Sequence, residues 1–251
     1  MIEWFHGLFS DNIGGPTIGL FSIWHIMYLV VILGIVIGGI FLLRNRSEKT
    51  KRRVVSIALI FALVTYAADF FAMPFYINGD IYAYLDKLPF HICTSISIIA
   101  AFTHFKKIKW LETPVAVLCV VAPLMYMTYP GSALSGSAFS YRVVQTMLYH
   151  GAVLAYGVWA ISTKQVEMKI KNVWKELVVI VVIALWATLG NTLYVFGDRS
   201  YNWFFMNGSP FGFPAQIQPF ITIFAVYLMC LIIYGIYYAV VAISRQIKKR
   251  K

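Results

Sequence analysis

Charge is scarce in this chain. Only 12% of its 251 residues are Asp, Glu, Lys or Arg, against roughly a quarter in soluble domains. Sixty per cent are hydrophobic, and the mean hydropathy is +0.75. That much apolar surface with that little charge excludes a soluble globular protein and a disordered chain. It also excludes a nucleic-acid-binding domain, so no nucleic-acid partner is expected. Cysteine is scarce too. Cys93, Cys119 and Cys230 each sit in an apolar stretch. They offer no disulfide framework and no metal-ligand spacing, and neither a metal nor another cofactor is expected. The first 16 residues contain no Lys or Arg, so the basic start of a cleavable signal peptide is missing. No internal repeat or low-complexity tract is visible.

What the chain does have is long apolar runs. A membrane span takes about 20 apolar residues. The runs at 18–43, 54–76, 89–105, 110–129, 141–162, 173–196 and 216–243 supply seven. They predict an all-α, polytopic bundle of seven transmembrane helices. Residues 1–251 form one transmembrane domain, with no room left for a soluble one. Pro89 and Pro114 suit first helical turns, where the missing N–H is not needed. Pro123 falls inside the fourth run and predicts a kink.

The net charge of +11 comes from 21 Lys+Arg against 10 Asp+Glu. Most of the basic residues fall in four clusters: 44–53, 106–109, 164–175 and 245–251. Each cluster follows an odd-numbered span. By the positive-inside rule the N-terminus is then outside and the C-terminus cytoplasmic. Residues 1–17, with Trp4, Phe5, Leu8 and Phe9, read as an outer interfacial segment. Residues 244–251 read as a basic cytoplasmic tail. The expected location is the cell membrane, as a multi-pass integral protein.

A polar group inside a span is costly and is a functional candidate by default. Those groups are His25, Asp69, His91, Cys93, Gln145, His150, Asn191 and Gln218. By helix rise all lie in the outer half, and the inner half reads as almost wholly apolar. One outward-facing polar pocket would segregate them this way. Structural readings compete at each position. Cys119 and Cys230 are simply small hydrophobes. His25 and His91 could hydrogen-bond across helices. Asp69 needs a partner or a proton, and His25, His91 and Arg142 are in range. Asn191 and Gln218 suit helix–helix hydrogen bonding better than chemistry. Cys93 stands apart because it shares the level of two histidines, and Ser97 follows one turn later on its face. His91 is two residues from Cys93, so it points to a different neighbour.

The chemistry open to such a pocket is nucleophilic. A buried thiol is inert until a base takes its proton. Cys93 and His150 could supply thiol and base, with Asp69 or Asn191 orienting the imidazole.

The stretch Leu88-Pro-Phe-His-Ile-Cys-Thr-Ser-Ile-Ser97 and the stretch Gln145-Thr-Met-Leu-Tyr-His-Gly151 resemble the YwaF family. That is the bacterial branch related to eukaryotic transmembrane protein 164. The similarity covers most of the chain: seven spans, an L-P-x-H-x-C opening to the third, and a Y-H-G within the fifth. It implies a membrane acyltransferase that moves a fatty acyl chain between phospholipid and lysophospholipid. It also implies a cysteine–histidine catalytic pair, which falls on Cys93 and His150. Helix rise puts Cys93 about 6–8 Å and His150 about 12–14 Å below the surface, bracketing the glycerol ester level. His25, Asp69, His91, Gln145 and Asn191 would support the pocket. The aromatic connection at 198–215, with Trp203, Phe204, Phe205, Phe211 and Phe213, suits a lid or an interfacial belt.

Other readings stay open: a transporter or substrate-binding membrane subunit using the same pocket, an intramembrane Cys–His lipid hydrolase, or a seven-span sensor. Against transport stand the absence of an inverted repeat and the apolar inner half. Donor, acceptor and protein partners are not fixed by the sequence.

Overall fold

The structure is a computed structural model that describes residues 15–75, 80, 82–131, 134, 136–195, 201–207 and 212–249. Among these residues there is no strand, only one bridge pair between Thr17 and Ser137. Seven long helices make the fold: α1 (Ile23–Leu43), α2 (Glu48–Ala72), α3 (Ile92–Lys106), α4 (Lys109–Thr128), α5 (Tyr141–Ser162), α6 (Trp174–Leu193) and α7 (Gln218–Lys249).

Their boundaries follow local chemistry. Ser22, Ser47 and Ser140 are extended residues whose hydroxyls accept from His25, Thr50 and Val143 backbone N–H, capping α1, α2 and α5. Ser47 corrects the expected start of the second helix at residue 54. The basic run 48–53 is helical, and Lys51 bonds Glu48 at 2.6 Å. Extension of α7 to Lys249 is a similar correction, because the basic tail continues the helix. α3 starts at Ile92 rather than Pro89 and stops at Lys107, which takes the left-handed conformation that turns the chain directly into α4. α4 runs unbroken through Pro114 and Pro123.

Five helices are long and apolar enough to cross a membrane: α1, the stretch Glu48–Phe75, α4, the stretch Ile170–Leu193, and α7. Two of the seven expected spans are not in that set. α3 has 15 residues, about 22 Å of helix against a core of about 30 Å. α5 has the length, at 22 residues, but carries Arg142, Gln145 and His150. It is sheltered rather than apolar, packing on α1, α2, α3 and α4.

Burial ranks the helices. In their apolar windows α1 and α7 are 22% buried, whereas α4 is 61% buried. α4 is therefore the central post, touching α3, α5, α6 and α7. The outer helices turn Val30, Ile35, Phe41, Phe220 and Phe224 outward, as lipid-facing residues must be. α4 and α5 approach closely at Gly157. A Cβ there would meet Ala116 O at 2.6 Å and Cys119 C at 2.9 Å.

The connections sort into two ends. At the basic end, Thr113 donates to Glu167 O, Ile170 N–H to Tyr238 OH, and Trp110 meets Trp174 edge-on. At the other, the loop end, Ile18 N–H donates to Gly136 O, Tyr28 OH to Ala138 O, and Trp203 Nε1 to Asp86 O. Of the expected interfacial segment 1–17, residues 1–14 lie outside the described residues.

Candidate functional site

The loop end gathers the polar side chains, and each has a definite place. The Leu88-Pro-Phe-His entry to α3 is pinned through Pro89. Its carbonyl accepts from Ser95 Oγ at 2.6 Å and from Trp186 Nε1 of α6 at 2.8 Å. Cys93 sits in the first turn of α3 and is buried. Across from it on α5, the Tyr149 hydroxyl donates to the Cys93 carbonyl at 2.8 Å and lies 3.0 Å from Ser97 Oγ.

His150 follows on α5 and is also buried. Its Nδ1 lies 2.7 Å from the Thr146 carbonyl. A carbonyl only accepts, so the bond assigns the hydrogen to Nδ1 and leaves Nε2 as a basic lone pair. Nε2 has no hydrogen-bond partner among the described residues. The ring stacks on Tyr126 of α4, with centroids 3.6 Å apart and planes at 6°. It meets Tyr149 edge-on at 4.9 Å. Cys93 on α3 and His150 on α5 are both buried, and Tyr149 links their neighbourhoods through the Cys93 carbonyl. Tyr149 contacts both, but no hydrogen bond joins thiol to imidazole.

The supporting residues have other duties. Asp69 is buried and pairs with Lys87 Nζ at 2.7 Å, a partner that was not among His25, His91 and Arg142. The Lys87 carbonyl in turn accepts from Tyr66 OH. His91 points away from Cys93 and is partly exposed, 3.9 Å from Asp86 Oδ1. Burial opposes the Asp86 charge, but His91, Lys87 and Arg142 outweigh it and hold that carboxyl below its usual range. His25 is a joint. Its Nδ1 accepts from Phe21 N–H at 3.0 Å and its Nε2–H donates to Met127 O at 2.8 Å, tying α1 to α4. Gln145 donates to Thr65 O of α2 at 2.9 Å. Asn191 clamps the turn at Trp203 from both sides, accepting from its N–H at 2.9 Å and donating to its carbonyl at 3.1 Å. Neither Asp69 nor Asn191 reaches the His150 Nδ1, which the Thr146 carbonyl occupies.

Within the 198–215 connection, Trp203 and Phe204 are buried and Phe205 and Phe213 exposed, while Phe211 lies outside the described residues. Trp203 stacks on Tyr201 at 4.3 Å and meets Phe90 at a tilt, with centroids 4.8 Å apart. The turn is packed down on α6 and the α3 entry.

The sequence reading also missed polar pairs at the basic end. Glu176 of α6 is fully buried, and Tyr234 OH of α7 donates to its Oε1 at 2.7 Å. Its Oε2 has no hydrogen-bond partner among the described residues. Ser56 Oγ of α2 donates to Arg52 O and accepts from His104 Nε2 of α3 at 2.7 Å. These pairs correct the expectation of an almost wholly apolar inner half. Glu176 lies inside the sixth expected run, 173–196, next to Lys175, and the first turn of α6 carries it inward. Tyr149 and Tyr126 were missed for a different reason: a tyrosine in an apolar run looks like packing.

Lipid-facing side chains cover the outside, and buried hydrogen-bonded polar groups tie the helices within. That pattern defines a multi-pass membrane protein. The chain matches the model of the TMEM164 family over residues 20–240, most of its length, and it belongs to that family. No curated protein and no solved structure matches it.

Proposed function

We propose that this protein is a membrane-embedded lipid acyltransferase with Cys93 as nucleophile and His150 as general base. The observation that supports it best is the state of His150: it is buried, its Nδ1–H is fixed by Thr146 O, and its Nε2 has no hydrogen-bond partner among the described residues. A base must present a lone pair in a fixed direction. In the proposed cycle His150 Nε2 takes the Cys93 proton. The thiolate attacks a phospholipid ester carbonyl, and the C–O bond breaks as His150 protonates the departing lysolipid oxygen. The acyl group remains as a thioester on Cys93. A lysophospholipid hydroxyl then attacks it as His150 takes the hydroxyl proton, the C–S bond breaks, and His150 returns that proton to the Cys93 thiolate. The thiol and Nε2 must close on one another when lipid binds, as apo sites commonly require.

The proposal places all seven helices in the membrane of a bacterial cell, N-terminus outside and C-terminus cytoplasmic. α3 would then start just below the outer surface, and the loop end would face outward. His91, Asp69, His25, Gln145 and Asn191 hold the site's frame. Water as acceptor would make the same pair a hydrolase.

The test is an alkyne-tagged phospholipid. Wild type should acquire a label released by neutral hydroxylamine. Cys93→Ala should acquire none, while Cys119→Ala and Cys230→Ala label normally. Equal labelling of wild type and Cys93→Ala would end the acyl-enzyme proposal and favour a binding or transport site.

A further inference from the structure

His150 has no carboxylate behind it, because Thr146 O occupies Nδ1. Something else must hold the ring and stabilise the charge it gains. The only ring lying flat against it among the described residues is Tyr126, at 3.6 Å and 6°. Tyr126 is itself steadied by Thr146 Oγ1, which donates to its hydroxyl at 3.2 Å. One residue of α5 thus contacts both rings of the pair.

The stacking geometry carries information. Two neutral aromatic rings avoid a face-to-face sandwich, since their negative faces repel; they prefer offset or edge-on arrangements. Centroids at 3.6 Å with planes at 6° leave almost no lateral offset. The same geometry is favourable once one ring is a cation, because the tyrosine face then attracts it. The arrangement therefore fits imidazolium better than imidazole. A group complementary to the state that appears only during reaction lowers the barrier to reaching it.

We propose that Tyr126 is a positioning residue for His150, holding the imidazole plane and stabilising the imidazolium formed when His150 takes a proton. This rests on the reading of His150 as the base. In this role Tyr126 acts through His150 and not on the thiol or the lipid.

The test compares wild type, Tyr126→Phe, Tyr126→Leu, His150→Ala and the double variant Tyr126→Leu/His150→Ala. Initial rates of hydroxylamine-sensitive labelling are measured on protein that is monodisperse in detergent. Tyr126→Phe keeps the ring face and should label within about twofold of wild type. Tyr126→Leu should be about tenfold slower, the scale of a desolvated cation–π contact. In the His150→Ala background, Tyr126→Leu should cost less than about twofold, since its effect passes through a group already gone. Equal losses in both backgrounds would make Tyr126 a packing residue only and overturn the inference. So would Tyr126→Phe falling as far as Tyr126→Leu. If Tyr126→Leu does not give monodisperse protein, Tyr126→Met supplies the non-aromatic arm. Failure of the acyl-enzyme proposal is separate and shows as unlabelled wild type. Ring-nitrogen NMR of His150 then decides. At a fixed acidic pH, the ratio of imidazolium to imidazole should fall about tenfold in Tyr126→Leu, and an unchanged ratio would refute the stack.

Discussion

Gly157→Ala tests how the α4–α5 contact sets the site. The added Cβ would lie 2.6 Å from Ala116 O and 2.9 Å from Cys119 C. Both are backbone atoms of α4 and cannot rotate aside. Restoring ordinary contact moves one helix by roughly 0.8 Å. Overpacking of this kind costs about 1–3 kcal/mol, and alanine returns about 1 kcal/mol of helix propensity. The net expectation is a loss of up to about 2 kcal/mol, near that upper figure because neither backbone atom can move aside. Three glycines of α1 calibrate it. Gly34 and Gly38 have nothing within 4 Å of the new Cβ, so alanine there should be neutral or stabilising by up to about 1 kcal/mol. At Gly39 the Cβ meets the Trp159 ring at 2.4 Å. That ring can swing away, at the loss of its Nε1 bond to Val36 O, worth about 1 kcal/mol. The geometry extends to the chemistry. α4 and α5 run antiparallel, Tyr126 lies seven residues beyond Cys119, and His150 lies seven before Gly157. The crowded contact and the Tyr126–His150 stack are thus the same seam, two turns apart. Unfolding midpoints in detergent should rank Gly34→Ala and Gly38→Ala highest, wild type next, and Gly39→Ala and Gly157→Ala lowest. Of the last two, Gly157→Ala should also slow thioester labelling. Wild-type stability in Gly157→Ala would refute the argument that the two backbones meet there.

The other predictions are more local. His25→Ala removes the bond to Met127 O that joins α1 to α4 and the local bond from Phe21 N–H, and should cost roughly 2–4 kcal/mol, read as a lowered unfolding midpoint in detergent. Lys87→Ala leaves the Asp69 carboxylate without its ammonium and should cost about 3 kcal/mol, the low end for a broken buried pair because Lys87 is partly hydrated. Asp86 is held below its usual range when folded. It therefore contributes stability above its unfolded value of about 3.9 and loses it as pH falls through the folded value. Asp86→Asn should flatten the acid limb of the stability profile below about pH 4 and leave neutral pH little changed. Glu176→Gln keeps the acceptor for Tyr234 and should be tolerated. If the carboxyl carries a proton, the infrared carbonyl stretch of a protonated acid should be present in wild type and absent in the variant.

The helices were legible because lipid imposes a strong pattern. The runs ending at Leu43 and Thr128 and the whole of α5 agree with structure to within a residue or so. Errors came where charge was taken as a sign of loop. Residues 48–53 and 244–249 are basic yet helical, since Lys and Arg are good helix formers when their heads reach water. Conversely, α5 was read as an ordinary span, although His150, Gln145 and Arg142 ride on a helix sheltered by four others. Hydropathy reports the environment averaged over a helix. It does not report which neighbours shield a polar residue.

The site shows a sharper limit. Depth alone does not separate His25, His91 and His150, and the sequence names His150 as the base only through its pairing with Cys93 and the family resemblance. The structure separates them by their ring nitrogens. His25 uses both for joining helices, His91 meets a carboxylate beside water, and His150 alone is buried with one nitrogen fixed and the other open. That distinction depends on which carbonyl stands four residues upstream and which ring lies alongside. Neither follows from the residue's type or level. The third member of the proposed constellation shows the same thing. A carboxylate or amide was expected behind the imidazole, because side-chain acceptors can be read from sequence. A backbone carbonyl does the work, and every residue has one. Tyr126 supplies what a carbonyl dipole does not, an electron-rich face for a developing cation, and in sequence it reads as one more aromatic in an apolar run.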